Sequence, residues 1–320
     1  MQFKEAITAF ILTKNSEKTI ERTLKSLVPL QCGIVILDTG STDKTVQCCL
    51  QYGCTVWYDS WKDNFSLARN TAIAYCSTPW LLMIDSDEEL SFFDKYFFEL
   101  HHQNQTIGGF SLTIKNYLND SLTSFSKHTY TRIFRNNKLI RFEGKIHEQI
   151  LPSILNAGYS IIDSAMEITH YGYMENSEEK RERNRQLLEN EYAQSTDDYI
   201  AYQLVLTYFA DKNMDLVISI GTKLLTSVEL TTKQIELITI RIAQALLHQS
   251  KYEEMKHILS KTFSDREYEF FQKYLLVVWN MQVHNFIEAK TQLADLLSNF
   301  QEGMVSLEDL QKLHEVLKHV

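Results

Sequence analysis

The chain has 320 residues, of which 44% are hydrophobic and 23% charged, with only 10 Gly and 3 Pro. That composition excludes wholesale disorder, collagen-like repeats and Pro-rich linkers, and at about 150 residues per domain it predicts two domains. Thirty-two Lys and Arg against 41 Asp and Glu leave a net charge of −9, which argues against broad nucleic-acid binding and against electrostatic adhesion to anionic lipid, while leaving room for a local basic pocket.

The first residues, Met1-Gln2-Phe3-Lys4-Glu5-Ala6-Ile7, lack the basic region, long apolar core and small-residue cleavage site of a secretory signal. No run approaches the ~18 apolar residues of a membrane span. The expectation is a cytoplasmic protein. Its five cysteines, Cys32, Cys48, Cys49, Cys54 and Cys76, are odd in number and show neither paired CxxC nor zinc-type spacing, so they read as reduced, mostly buried small hydrophobes.

Ala6 to Leu12 reads as a strand, followed by a helix capped at Asn15-Ser16 in which Ile20, Leu24 and Leu27 recur at helical steps. Gly33 to Asp38 is a continuous apolar run ending in an acid, as expected of a central parallel strand buried on both faces. A helix is predicted from Ser41 to Asp43 onward, a strand at Cys54 to Tyr58, a helix over Phe65 to Tyr75 and a buried strand at Trp80 to Ile84. This alternation predicts a doubly wound, mostly parallel sheet with helices on both faces. Beyond Gly108 the pattern turns strand-rich, with Gly109 to Ile114, Thr129 to Arg135 and Lys138 to Phe142 as candidates.

From about Glu175 the sequence is helical to its end. A charged connecting helix leads into three helix pairs, roughly 197–226, 233–263 and 267–300, whose turns align through Met214, Tyr252 and Phe286 at spacings of 38 and 34 residues. That period fits tetratricopeptide-like hairpins, which need about three units to bury a shared core; an unrelated helical bundle fits the composition equally well. A capped terminal helix is predicted from Ser306. The expected fold class is therefore α/β followed by all-α, with domains at 1–174 and 175–320.

The sharpest chemical feature is Asp85-Ser86-Asp87 at the end of an apolar strand. Side chains at i and i+2 of an extended chain project to one side, and two close carboxylates repel unless a cation or proton lies between them. A hard divalent ion, Mg²⁺ or Mn²⁺, shared with substrate phosphates resolves that repulsion, at the strand ends where open α/β sheets bind ligands. The bare spacing also suits a solvated acidic turn. Asp38, followed by Thr39-Gly40-Ser41, can accept from a uracil ring N–H, and reads equally as a helix cap with a turn glycine. Trp61 to Asn70 places Arg69 and Asn70 at a helix start, types suited to a base or diphosphate. Arg141 to Glu148 gathers acid, base and cation, with Glu148 a candidate general base. His170, between aromatics, is a candidate imidazole ligand or a structural residue.

Together these residues carry a family resemblance. The series Ile11 to Asn15, Leu37 to Asp43, Ala68-Arg69-Asn70 and Asp85-Ser86-Asp87 resembles the inverting GT-A glycosyltransferases of family 2. Trp61 to Ser66, Phe142 to Glu148 and His170-Tyr171-Gly172-Tyr173, with a helical-repeat tail, are similar to the sublancin-type peptide S-glycosyltransferases. The resemblance implies a UDP-hexose donor, UDP-glucose foremost, with Thr13, Asn15, Asp38, Arg69, Asp85 and Ser86 at the nucleotide-sugar and Asp38 and Arg69 on the base. It implies a Mg²⁺ or Mn²⁺ ion on Asp87 and His170, and Glu148 as catalytic base with Glu143 the alternative. The implied acceptor is a Cys or Ser/Thr side chain of a bacteriocin-type peptide, or else a cell-envelope carbohydrate or lipid-linked sugar. A scaffold retaining an inactive transferase domain is the non-enzymatic reading. The helical hairpins receive the peptide or form a homodimer.

Overall fold

A computed structural model describes residues 3–117, 125–171, 178–195, 197–300 and 303–319. The chain divides into two compact units, Met1–Leu187 and Leu188–Val320. The boundary expected at 174/175 lies outside the described residues, as do Gly172 and Tyr173.

In the first unit the elements run α1 (Phe3–Ala6), β1 (Ile7–Thr13), α2 (Ile20–Leu27), β2 (Gly33–Asp38), α3 (Thr45–Gln51), β3 (Thr55–Tyr58), α4 (Phe65–Ala74) and β4 (Trp80–Met83), then β5 (Glu88–Phe92), α5 (Lys95–His101), β6 (Ile107–Tyr117), β7 (Phe125–Arg135), α6 (Leu151–Asn156) and β8 (Ser160–His170). The described strands form one sheet in the order β3-β2-β1-β4-β7-β6-β8-β5. β1 through β4 pair in parallel, whereas β7 joins β4 and β6 antiparallel and β5 joins β8 antiparallel. The apolar runs explain the centre. Alternate residues of β1, β2 and β4 feed opposite faces, so Ile7, Ala9, Ile11, Ile36 and Leu82 enter one core while Phe10, Leu37, Leu81 and Met83 enter the other. Burial of each Ile, Leu, Met or Phe among them stabilises the fold by about 1.5–3 kcal/mol.

The expected class, α/β and then all-α, holds, but several local expectations do not. The sheet is mostly parallel as expected, and its two reversed strands are β7, antiparallel to β4 and β6, and β5, antiparallel to β8, while β6 and β8 pair in parallel. Strands β5 and β8 were not legible. Helix α2 begins at Ile20 with Thr19 at its cap, rather than being capped at Asn15-Ser16, since Ser16 Oγ is engaged with Ser86 Oγ at 2.9 Å and Asn15 sits at φ 52. Lys138 to Phe142 is not a strand. Its backbone is claimed by side chains instead, with Phe142 N donating to Asn70 Oδ1 (2.9 Å), Asn70 Nδ2 donating to Phe142 O (3.0 Å) and Arg141 N donating to Ser153 Oγ (3.0 Å). Gly108 has no room for a side chain, as a Cβ there would lie 2.4 Å from that of Tyr159.

Helix α7 (Glu178–Ser195) spans the division between the units. The second unit continues with α8 (Asp198–Ala210), α9 (Met214–Leu224), α10 (Thr232–His248), α11 (Tyr252–Ile258), α12 (Arg266–Gln282), α13 (Phe286–Ser298) and α14 (Leu307–Lys318). Consecutive helices pair, and the first helix of each hairpin packs on the first helix of the next, α8 on α10 and α10 on α12. The expected turns are found at the expected places: α9, α11 and α13 open at Met214, Tyr252 and Phe286. Each is preceded at the same position by a left-handed residue, Lys212, Ser250 or His284, with φ 58–60. In every case the next residue's N–H reaches back to the preceding helix, Asn213 to Tyr208 O, Lys251 to Leu246 O and Asn285 to Asn280 O, at 2.8–2.9 Å. Buried Glu236 of α10 accepts from Ser264 N, Ser264 Oγ and Asp265 N at 2.5–3.1 Å, fixing the entry into α12. Ser306 and Asp309 form the predicted cap of α14. Among the described residues no helix is long and apolar enough to cross a membrane, and the five cysteines are free, with Cys49, Cys54 and Cys76 buried.

Candidate active site

The first unit holds a cleft of about 340 Å³ at the ends of β1 and β4, lined among others by Thr13, Ser16, Trp61, Arg69, Asp85, Ser86, Asp87 and His170. Its floor is the pair of turns leaving β1 and β2. Asp38 ends β2 and is 2% exposed. Its oxygens accept from Gly40 N (3.1 Å), Ser41 N (2.9 Å), Ser41 Oγ and Thr13 Oγ1 (3.1 Å), so the carboxylate is committed to the loop rather than bare. Gly40, at φ +105, makes that loop conformation affordable only without a side chain. Thr39 N and Asn15 N add cross-links to Thr13 O and Ser41 Oγ (both 2.9 Å), and Asn15 Oδ1 accepts from Thr42 N at 2.8 Å. Thr13, Asn15 and Asp38, expected at the nucleotide, therefore stitch the two strand ends together.

Beyond this floor runs a chain of alternating charges. Arg69 of α4 is 6% exposed; its Nε donates to Glu148 and its Nη2 to Asp85 Oδ1 at 2.9 Å. Arg132 of β7 reaches Asp85 Oδ2 at 3.5 Å and Glu88 Oε1 at 2.7 Å, and Asp85 N donates to Glu88 Oε2 at 2.8 Å. Burial opposes the charges of Arg69, Arg132, Asp85 and Glu88, yet their partners decide most of them. Arg69 and Arg132 hold Asp85 well below the usual carboxylate range, and Asp85 and Glu148 hold Arg69 above its ordinary value. For Glu88 burial wins and pushes it up to about 7. Arg69 Nη1 is buried without a hydrogen-bond partner, an uncommitted donor beside the cleft.

Glu148 arrives on a turn mounted on the start of α4. Phe65 N donates to Lys145 O at 2.7 Å, Ser66 Oγ donates to Gly144 O, and Tyr130 OH donates to Glu148 O at 2.5 Å. Glu143 closes this turn through backbone pairing with Gln149, and is itself exposed. On the opposite side Asp87 Oδ2 stands 3.4 Å from His170 Nε2. Burial works against a charge on His170, but Asp87, Glu88 and Asp85 outweigh it and raise the imidazole above its ordinary value. A place that attracts a proton this way also attracts a cation. One or two carboxylates with an imidazole, completed by phosphate oxygens, suit Mg²⁺ or Mn²⁺, so the residues present fit the implied ion. Among the described residues no group of three or more His, Cys, Asp or Glu forms a cage on its own.

The expected site residues thus gather in one region, with Glu148 joined to it through Arg69. Sequence reasoning missed Arg132, Glu88 and Asn116, and Arg183 of α7, which stands 5.8 Å from the rings of Trp61 and Phe65. A charge inside the apolar run Thr131-Arg132-Ile133-Phe134 was the available signal for Arg132.

Residues 8–152 match the family model described as Glycosyl transferase family 2. Among curated relatives, a TPR repeat-containing protein of Synechococcus elongatus is 29% identical over 60% of this chain and 49% of its own length. The SPbeta prophage-derived glycosyltransferase SunS of Bacillus subtilis is 30% identical over 57% of this chain and 44% of its own. The chain matches about half the length of these relatives. Among solved structures, glucosyl-3-phosphoglycerate synthase from Mycobacterium tuberculosis, crystallised with Mn²⁺, UDP and phosphoglyceric acid, is similar at 17% identity over 59% of this chain and 78% of that one, with a TM-score of 0.42.

Proposed function

We propose that the protein, whose residues 8–152 match the family model described as Glycosyl transferase family 2, transfers a hexose from a UDP-sugar, with the help of Mg²⁺ or Mn²⁺, to a Cys or Ser/Thr side chain of a peptide. The observation that carries this reading is the meeting of Asp87 and His170 at 3.4 Å, in the same cleft as the uncommitted Nη1 of Arg69. Acidic ligands for a cation and a buried cationic donor side by side are what a sugar diphosphate requires.

In this reading the floor of Thr13, Asn15 and Asp38 keeps the nucleoside loop in shape, while Asp85 and Ser86 face the ribose and Arg69 presents Nη1 to the donor. A cation held by Asp87 and His170 would neutralise charge on the departing diphosphate. Glu148 takes the acceptor's S–H or O–H proton as that atom bonds to the anomeric carbon, and the bond from that carbon to the diphosphate breaks, releasing UDP. The Arg69 contact to Oε1 leaves Oε2 of Glu148 for that proton. The peptide acceptor is supported by the order of the motifs at Trp61 to Ser66, Phe142 to Glu148 and His170.

The test is a panel of UDP-hexoses incubated with the protein, Mn²⁺ and matched Cys- or Ser-containing peptides, read by intact mass. A gain of one hexose on the peptide, abolished by chelation, is the expected result. Transfer to carbohydrate acceptors alone would overturn the peptide assignment, and the absence of metal-dependent UDP binding by calorimetry would overturn the enzymatic one.

A further inference from the structure

Strand β6 lies between β7 and β8, and its register sets Asn116 directly opposite His170. Two positions back, Ile114 pairs with His128 of β7, so one amide on β6 stands between an imidazole on each neighbouring strand. Asn116 is 6% exposed. Its Oδ1 lies 2.9 Å from His170 Nδ1 and its Nδ2 lies 3.0 Å from His128 Nδ1. Nothing in the proposed reaction uses this buried amide.

The orientation of that amide is set from the His128 side. Asn116 Nδ2 stands at His128 Nδ1, which accepts from the amide, and burial, with the positive Arg132 nearby, favours that acceptor by holding His128 below its ordinary value. With Nδ2 so committed, the face turned to His170 is the carbonyl oxygen, an acceptor only. It accepts a hydrogen bond from His170 Nδ1–H, so that when His170 is neutral its Nε2 lone pair lies on the side of Asp87, the form in which imidazole binds a metal.

We propose that Asn116 is a positioning residue for a cation site made by Asp87 and His170, fixing both the ring plane of His170 and the nitrogen that carries its proton. This rests on the cation reading given above. Partners of metal-binding imidazoles are worth about 10–100-fold in metal affinity, and leucine at this position keeps the size while removing the acceptor.

The test is titration of the full chain with Mn²⁺ in the presence of UDP, following the free Mn²⁺ signal by electron paramagnetic resonance. Asn116→Leu should weaken Mn²⁺ binding about 10–100-fold while UDP binding without metal is unchanged. Asn116→Asp, which keeps an acceptor for the His170 proton, should retain most of the affinity. Wild-type affinity in Asn116→Leu, or equal loss in both variants, overturns the proposal. A His170→Ala variant that binds Mn²⁺ as tightly as the wild type overturns the cation reading itself; loss in His170→Ala without loss in Asn116→Leu overturns only the role of Asn116. Nitrogen-15 spectra of the histidine-labelled wild type need no variant to fold. A proton on Nδ1 of neutral His170 is expected, and a proton on Nε2 alone overturns the inference.

Discussion

Arg69 donates its Nε–H to the carboxylate of Glu148, seventy-nine positions along the chain, and this contact ties the proposed acid–base group to the acidic strand end through Asp85. A carboxylate held in this way has a fixed direction, and its usefulness depends on how acidic the acceptor already is.

Thiols titrate near about 8.5, far below sugar or serine hydroxyls. Glu148→Gln should therefore slow transfer to a Ser-containing peptide by about 10²–10⁴-fold, the usual range for removal of a general base, and transfer to the matched Cys peptide by much less. Initial rates on the two peptides measure this directly. Equal losses would remove Glu148 from the role of base.

Asp87→Ala removes one of the two groups that meet at 3.4 Å. Metal-dependent hydrolysis of the UDP-sugar should fall at least about 100-fold, while circular dichroism is unchanged because Asp87 is partly exposed at the end of a turn. Hydrolysis at the wild-type rate would show that Asp87 does not hold the ion.

Glu236 satisfies two backbone N–H groups and a hydroxyl at the entry into α12. Glu236→Ala orphans them and should cost about 1–3 kcal/mol. Hydrogen exchange locates the loss: the amides of Ser264 and Asp265 should be among those that lose protection, and unchanged protection there would refute the clamp.

The left-handed residues Lys212, Ser250 and His284 each carry a strain of about 1–2 kcal/mol, partly offset on substitution by the greater freedom of glycine when unfolded. Glycine at any one of them should stabilise the helical unit by about 0.5–1 kcal/mol, and valine should destabilise it. Thermal melts of the six single variants test the ordering.

Burial pushes the thiols of Cys49, Cys54 and Cys76 up to about 12. A group that keeps its proton longer when folded contributes stability fully below its unfolded value, near about 8.5, and loses it as pH rises toward the folded one. Each thiol should then cost up to about 1.4 kcal/mol per pH unit above about 8.5. Cys76→Ala should show a shallower alkaline loss in denaturant midpoint than the wild type; identical slopes would exclude the thiol as the cause.

What could be read from sequence followed the length scale of the interaction that fixes each feature. Gly33 to Asp38 and Trp80 to Ile84 were legible because burial on both faces leaves a continuous apolar run. The hairpin turns at Met214, Tyr252 and Phe286 were legible because the same short-range geometry recurs three times. Strand β5 was hidden by Glu88 and Glu89, whose charges answer to Arg132 and Arg22 elsewhere in the chain. Lys138 to Phe142 looked like a strand until Asn70 and Ser153 took its backbone groups. In the site, Asp85, Asp87, His170 and Glu148 stood out as chemical types, but nothing local announced that Arg69 would lie between two carboxylates or that Asn116 would separate two imidazoles.

The Asn70 clamp on Phe142 carries one more consequence. A single amide here replaces a missing rung of the sheet, and aspartate could not substitute for it, having no N–H to give. Glu148 therefore hangs from the same helix that carries Arg69, and breathing of the sheet would carry the acid and its cation as one tool on one handle.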